Sequence, residues 1–499
     1  MLARRIIMVA PLLLSGCLSL DPHYTRPAAP VPDRLPTGGA YASLGHAPGS
    51  NYRDIAWRDY ILDDRLRQTV AMALNSSRDL REAVADVKAA KAQYGEERSN
   101  LFPTVDAELS GTRSRALTGE GNQTAISQST QAEGSISAFE LDLFGKNQSL
   151  TREQYETYLG TLAGARSTRL TVLYNTVYYW LALAADQSNL AIAQQTAQSA
   201  RQSLEVTQKK LQHGIVSGVD VASAETTYQS AMADIASYQT SVAQDKNALD
   251  LVVGQRVPDA WLPNGIEQLS GALSEMPADI SSQVLLNRPD VLEAEHNLKA
   301  ANASIGAARA NFFPSISLTT SAGVGSNALS SLFKHGAGIW SFSPSVSLPL
   351  FTGGYNTAQL NYTRAQKELY VATYEKAVQT AFQEVADALA RRGTIHAQLT
   401  GHTDYVAAAG RYYHLADLRY QNGVDTYLNA LDAQRELYSA RTELVSTQLA
   451  YYQNLITLYK VMGGAPIKLS SMFMTLAGYK TCHLASLRIG HRNAVLPER

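Results

Sequence analysis

The chain has 499 residues, a formal net charge of -1 and only two cysteines, Cys17 and Cys482. This length allows two or more ordinary domains or one large elongated unit, and the near-zero charge gives no indication of a nucleic-acid partner. A lipid on Cys17 would leave Cys482 without a partner, so the sequence excludes a disulfide framework.

The N-terminus has the features of a bacterial export signal. Two arginines precede an apolar run of about nine residues, which is too short to span a bilayer. The run closes with Leu14-Ser15-Gly16-Cys17, which is similar to a bacterial lipobox. We therefore predict a signal peptide over 1–16 and a covalent lipid at Cys17; the alternative is a buried helix that ends at a chance cysteine. Recurring prolines predict an extended, lipid-anchored leader over 17–55.

The body of the chain is an internal duplication. Four sequence pairs recur in order at an offset between 207 and 211 residues, which chance does not readily produce. They are Asn100-Leu101-Phe102-Pro103 with Asn311-Phe312-Phe313-Pro314, Leu141-Asp142-Leu143-Phe144-Gly145 with Leu348-Pro349-Leu350-Phe351-Thr352, Leu211-Gln212-His213-Gly214 with Tyr420-Gln421-Asn422-Gly423, and Val253-Gly254 with Met462-Gly463. We divide the chain into repeat 1 (56–260), repeat 2 (279–464) and an atypical tail (465–499), which we predict to be disordered.

Each repeat has the same predicted order of elements, which makes the fold mainly α with membrane β-strands. Apolar residues at spacings of three and four in proline-free regions predict long helices with a coiled-coil-like seam. Helix 146–212 alone would be about 100 Å long. Near Ala138-Phe139 the strand alternation changes register, as at a β-bulge. The predicted elements are helices over 60–99 and 288–311, strands at about 103–113, 131–144, 314–325 and 340–351, and helical hairpins over 146–254 and 354–462.

The four strands favour a membrane barrel shared between chains. Each run has about ten residues, the length of a tilted transmembrane strand, although a half-buried soluble sheet would also fit an isolated strand. Backbone groups in lipid must be paired, and four strands cannot close a barrel. Two chains would give eight strands and a filled interior, whereas three would give twelve and a lumen. We predict three.

Taken together, these motifs resemble the NodT-type outer membrane factor lipoproteins, which belong with the TolC-like channels of tripartite efflux systems. The resemblance rests on the lipobox, Pro22-x-Tyr24-x-Arg26-Pro27, the duplicated Asn-x-Phe-Pro and Asn287-Arg288-Pro289-Asp290. It implies a homotrimer with a twelve-stranded outer-membrane barrel, continued by a helical barrel across the periplasm. It also implies a periplasmic adaptor and an inner-membrane pump, commonly of the RND class. In lipoproteins of this kind an aspartate directly after the cysteine retains the protein at the inner membrane, and its absence here favours the outer membrane.

The resemblance places a periplasmic gate just before the second helical turn, at 413–420. Tyr413 and Asp417 are four residues apart and share a helix face. In a trimer, three Asp417 carboxylates could bind cations or pair with a neighbouring arginine, while Tyr413 narrows the aperture. Alternatively, Asp417 is a solvated charge beside Arg419. Repeat 1 carries Gln208 at the equivalent position.

The two helical turns should form the periplasmic tip and, by resemblance, meet the adaptor. The turn alone is enough to explain the glycines, but the apolar side chains are harder to explain without a partner. The residues of these tip turns are Gly214, Ile215, Val216 and Gly218 in repeat 1, and Gly423, Val424 and Asp425 in repeat 2.

We predict a passive conduit for small toxic compounds, not an enzyme, because the sequence has no phosphate loop, nucleophile elbow or zinc spacing. No metal or cofactor is expected, and a metal site at Cys482-His483 is disfavoured. Two alternatives stay open. One is the same channel in a type I secretion or MFS-type system, and the other is a periplasmic coiled-coil lipoprotein without a pore.

Overall fold

The structure is a computed structural model that describes residues 19–41, 55–117, 124–275 and 282–464. The predicted signal peptide 1–16, Cys17 and the tail 465–499, with Cys482 and His483, lie outside these residues. The described part of the leader, 19–41, has a short 3-10 turn at Gly39–Tyr41 and bends at 30–31, 33–34 and 38, so the predicted extended leader is interrupted in its second half.

Short helices precede the first strand. The predicted helical region 60–99 is divided, because Asp63 caps one helix and Ser77, with ψ of 136°, separates it from the next. The Asp63 carboxylate accepts hydrogen bonds from the backbone nitrogens of Arg65 and Leu66 at 2.8 and 3.0 Å. The helices are α1 (Trp57–Tyr60), α2 (Asp64–Ser76) and α3 (Arg78–Ser99).

Four antiparallel strands form one sheet in the order β1-β2-β3-β4 within the described residues. The strands are β1 (Asp106–Leu117), β2 (Thr124–Glu140), β3 (Ser315–Ser326) and β4 (Gly338–Ser347). β1 begins and ends later in the chain than the predicted strand 103–113, whereas β2 begins and ends earlier than the predicted 131–144. β3 agrees with the predicted 314–325 to within one residue, but β4 ends at Ser347, before the end of the predicted 340–351. The predicted bulge is present, because the β2–β3 register shifts between Ile136 and Phe139, and Ala138 has a φ of 49°.

Two helical hairpins are the longest elements, and their bounds agree with the predicted 146–254 and 354–462. The first helix of each hairpin has 67 residues, or about 100 Å at 1.5 Å per residue. A shorter helix, α6, packs between the two long helices and matches the predicted 288–311. The elements are α4 (Lys146–Gln212), α5 (Gly218–Val253), α6 (Pro289–Ala310), α7 (Tyr355–Gln421) and α8 (Tyr427–Val461).

The main hydrophobic core lies midway along the long helices, where α5 and α8 end. Tyr60 is fully buried there, stacks on Tyr459 and donates a hydrogen bond to the Leu455 carbonyl at 2.7 Å. Trp180 is equally buried and donates to the Trp261 carbonyl at 2.9 Å. The core therefore ties both repeats together at the middle of the molecule. In the described part of the chain, no helix is both long and apolar enough to cross a membrane.

The leader is held on one face of α4 and α6 by charged and polar contacts. Asp21 forms an ion pair with Arg152, and Arg26 forms one with the buried Glu295. Burial alone would raise the pKa of Glu295, but hydrogen bonds from Arg26 and Lys299 outweigh burial and hold this pKa below its usual range. Residues 20–26 therefore lie against the helical body near its strand end.

Candidate functional site

The helical turns predicted as tip turns have the same geometry in both repeats. Gly214 and Gly423 have φ of 70° and 72°, and an added Cβ would meet nothing within 4 Å at either position. Glycine is therefore needed for the left-handed backbone and not for close packing. The nitrogens of Ile215 and Val424 bond to the carbonyls of Lys210 and Arg419, both at 2.9 Å.

The polar residues of these turns cap the returning helices. Ser217 and Asp220 form a capping box at the start of α5, where Gly218 is the first helical residue. Asp425 accepts hydrogen bonds from the Thr426 nitrogen at 2.8 Å and from Arg419 at 3.2 Å. The Thr426 backbone bond and then Arg419 lower the pKa of Asp425. The Asp425 carboxylate is therefore charged and fixed in place.

Apolar side chains are exposed at both turns. Ile215 is 68% exposed and Val424 63%, while Val216 is half-buried. Sequence reasoning missed two further residues, Val219 and Leu428, which are exposed in the first turns of α5 and α8. Both could have been found in the sequence as apolar residues within one helical turn after the residue that caps each returning helix. Together the four exposed side chains give an apolar surface at the ends of both hairpins.

The predicted gate residues lie on α7 near its tip end. Tyr413 and Asp417 are both partly buried, and burial raises the pKa of each; for Tyr413 the neighbouring Asp417 charge adds to this effect. Asp417 accepts a hydrogen bond from the Gln421 amide at 2.6 Å. Arg419 pairs with Asp425 instead, so a local Asp417–Arg419 pair is not formed. The Asp417 carboxylate thus has no lysine or arginine partner among the described residues.

A contact between the two hairpins, which sequence reasoning did not identify, lies directly beside the predicted gate residues. The Tyr420 hydroxyl is 2.8 Å from Thr207 Oγ1, and Lys210 Nζ donates to the Tyr420 carbonyl at 3.0 Å. The same ammonium lies 3.8 Å from the centre of the Tyr420 ring. Tyr420 also packs edge-on against Tyr427. We call Thr207, Lys210 and Tyr420 the inter-hairpin latch, because they join α4 to α7 one turn from the tip.

The side chains around Tyr413 and Asp417 include aromatic, polar and charged groups. In the ranges that the structure describes, no group of three or more histidine, cysteine, aspartate or glutamate side chains is arranged to hold a metal ion. Among the described residues, the tip end offers hydrogen bonds, a cation–π contact and the charges of Asp417, Arg419 and Asp425.

Comparisons with known proteins find similarity over nearly the whole described chain. A model of the family described as outer membrane efflux protein matches residues 69–255 and 280–464, which correspond to the two repeats. The toluene efflux pump outer membrane protein TtgC of Pseudomonas putida is 41% identical over 460 residues, covering 92% of this chain and 94% of TtgC. The cation efflux system protein CusC of Escherichia coli O157:H7 is 36% identical over 455 residues, covering 91% and 96%. Among solved structures, the open state of the Neisseria gonorrhoeae MtrE outer membrane channel matches with a TM-score of 0.80 at 34% identity, covering 89% of this chain and 98% of MtrE.

Removing the latch should loosen the hairpin ends. In a Lys210→Met, Tyr420→Phe double variant, the loss of a charge-assisted hydrogen bond and a cation–π contact should cost about 2 kcal/mol locally. Backbone amides of 205–212 and 415–422 should then exchange their hydrogens about tenfold to 30-fold faster. The exchange reaction is carried out on the folded protein, and each segment is then measured by mass spectrometry of its peptides. Lys209→Met with Tyr412→Phe is the matched control, since both side chains are exposed. Equal exchange rates in the two double variants would contradict the latch.

Proposed function

The chain belongs to the outer membrane efflux protein family, and from that membership we propose that three copies assemble into one passive channel. As a member, it is a transport conduit of an efflux system and not an enzyme. The observation that carries the trimer is the open sheet. Its outer strands, β1 and β4, each pair on one side only within the described residues, and β4 exposes Trp340, Phe342 and Val346.

Physical constraints select both the closure and the number of copies. An unpaired strand edge in hydrocarbon would leave backbone groups without partners, so β4 of one copy must pair with β1 of another. Eight strands would enclose a filled interior, while twelve strands leave space for water. Three copies would also place the helical hairpins side by side, as a tube that extends about 100 Å from the sheet.

The location is the outer membrane, with the helices extending into the periplasm. We propose in addition that lipid on Cys17 anchors the leader. Support comes from the leader contacts, since Leu20 accepts a hydrogen bond from Arg309, which lies in the last turn of α6 and close to the start of β3. Cys17 is only three residues earlier, so an extended chain can span at most about 10 Å between them.

The trimeric channel has a direct test. The protein, extracted in a mild detergent, should behave as a trimer in light scattering corrected for bound detergent and lipid, with each copy lighter than the 54.1 kDa precursor by the cleaved signal peptide. In planar bilayers it should give discrete, uniform conductance steps, because the pooled strands enclose a water-filled lumen. A monomeric rod without conductance would overturn the proposal and favour the non-channel alternative.

The cargo and pump are proposed from the relatives. TtgC is described as part of a toluene efflux pump, and CusC as part of a cation efflux system. Because one family serves such different cargo, we propose that selectivity resides in an inner-membrane pump of the RND class. This pump would also supply the energy for the export of small toxic compounds. Co-purification of this chain with a type I secretion or MFS-type transporter, in place of an RND pump, would contradict this choice.

We propose that Tyr413 and Asp417 form the periplasmic gate. Their partial burial, shared helix face and position next to the inter-hairpin latch support this role. In the trimer, three Asp417 carboxylates without a lysine or arginine partner in their own chain would repel one another and favour opening. Tyr413 would restrict the aperture by its size.

The gate residues should affect conductance in different ways. Tyr413→Ala should raise single-channel conductance on the order of twofold, because it widens the constriction. Wild-type conductance should fall as the pH drops towards the raised pKa of Asp417, since protonation removes the repulsion that favours opening. Asp417→Asn should lose this pH dependence. Tyr412→Ala and Asp404→Asn, on exposed positions of the same helix, are the controls; a pH response that survives Asp417→Asn would rule out the carboxylate ring.

We propose that the tip turns, Gly214, Ile215, Val216, Gly218, Gly423, Val424 and Asp425, receive the periplasmic adaptor. The exposed apolar side chains at both turns support an interface, because isolated solvent-facing ends would not need them. The glycines and Asp425 would shape this surface through the turns and caps described above.

Charges at the tip should block adaptor binding without closing the channel. Ile215→Asp with Val424→Asp should weaken affinity for the cognate adaptor on the order of tenfold or more, measured by surface plasmon resonance, because charged groups would have to be desolvated. Conductance steps should be retained. Leu251→Asp is the matched control, since Leu251 is exposed on α5 far from the tip. Unchanged affinity in the double variant would exclude this surface.

A further inference from the structure

A basic cavity lies between α6 and α7 on the face that carries the leader. It has a volume of about 430 Å³, and Pro22 of the leader forms part of its lining. Three cationic side chains and one carboxylate line it, which leaves an excess of two positive charges (three minus one). These residues are Arg309 from α6 and Arg364, Lys367 and Glu368 from α7.

The cavity lies at the strand end of the helices. Arg309 is in the last turn of α6, and β3 begins at Ser315. The Asn356 amide donates to the Asn311 carbonyl at 2.8 Å, which places the start of α7 at the same level. Helical side chains lean towards the helix N-terminus, and the N-terminus of α7 is its strand end. The heads of Arg364 and Lys367 therefore lean towards the membrane, and that of Arg309 leans back into the cavity.

None of the three cations forms an ion pair with a carboxylate among the described residues, although Glu368 lines the same cavity. Lys367 Nζ donates to Asn302 Oδ1 at 2.8 Å, and Arg309 Nη1 donates to the Leu20 carbonyl at 3.0 Å. Both acceptors are uncharged, and Arg364 is exposed. The guanidinium of an arginine can donate two parallel hydrogen bonds to phosphate oxygens, and this cavity holds two arginines. The Lys367 ammonium adds a third positive charge beside them. Ile305 and Val371 supply an apolar wall beside them.

We propose that this cavity binds the phosphate of an anionic phospholipid headgroup in the membrane leaflet that faces the periplasm. The apolar wall suits the glycerol and the first methylenes, which a free phosphate ion would not use. Such a lipid would fasten the α6–α7 face and the leader to the membrane surface. The inference rests on the proposed placement of the sheet in the membrane.

The binding is tested on the full-length protein in a neutral detergent, by isothermal titration with dihexanoyl phosphatidylglycerol. Wild type should bind it saturably, and Arg364→Gln with Lys367→Gln should weaken binding about 30-fold, from the usual contribution of each cation near a lipid surface. Arg364→Lys should retain most of the affinity because it keeps the charge. Lys88→Gln with Lys91→Gln is the matched control: the same spacing and charge loss, on exposed positions of α3.

Lipid selectivity separates a headgroup site from a general anion site. Two results together would support a lipid headgroup site. Phosphatidylglycerol binding should be lost only in the α7 variant, and dihexanoyl phosphatidylcholine and inorganic phosphate should bind wild type at least about tenfold more weakly than phosphatidylglycerol does. Equal losses in both double variants, or inorganic phosphate that binds as well as the lipid, would overturn it. Conductance steps measured on the same preparations separate a missing lipid site from a failed channel, since the variant should conduct like wild type.

Discussion

Unpaired backbone groups along β1 and β4 are the constraint on which the rest of this molecule depends. Each N–H or C=O group left without a partner in hydrocarbon costs several kcal/mol, and one four-stranded sheet has two such edges. Within one chain the two repeats are joined by the antiparallel pairing of β2 with β3. The same kind of pairing can join β4 of one copy to β1 of the next. Assembly therefore repeats between chains what duplication achieved within one.

The long helices are held by a large apolar core at their middle and by smaller apolar clusters towards the tip. At the middle, the buried Arg288 donates to Asp290 and Glu384 at 2.7 and 2.6 Å and to the Val461 carbonyl at 3.1 Å. It thereby joins the start of α6 to α7 and to the end of α8, and losing it would remove the ion pairs with the partly exposed Asp290 and Glu384 as well as the bond to the Val461 carbonyl. Towards the tip the apolar clusters of the described residues are small. Polar contacts between the hairpins add to them: the inter-hairpin latch, the Tyr438–Asp234 hydrogen bond at 3.0 Å and the Arg441–Gln195 hydrogen bond at 2.8 Å. Movement there costs less than movement at the core.

The sequence allowed the long elements to be predicted because their signals are local. Glycine at the turns, freedom from proline and a spacing of three and four define the hairpins, and the lost alternation at Ala138 located the bulge. The strand ends had no such signal. The first half of β2 is mostly small polar residues, so Thr124–Gln131 shows no apolar alternation although its backbone is fully paired with β1. The helix break at Ser77 was missed because apolar spacing continues on both sides of it.

The inter-hairpin latch could not be predicted because it depends on the register of two hairpins that are about 210 residues apart in sequence. Thr207 and Lys210 lie in repeat 1, and Tyr420 lies in repeat 2. Each residue alone looks like an ordinary helix position, and only tertiary packing brings them together. The repeats have also diverged here, since Asp417 corresponds to Gln208 in the duplication. A ring of negative charge would thus come from α7 alone, while α4 supplies the cation that holds α7 in place. The two hairpins are nearly equal in length, and this local divergence gives them different side chains at the tip.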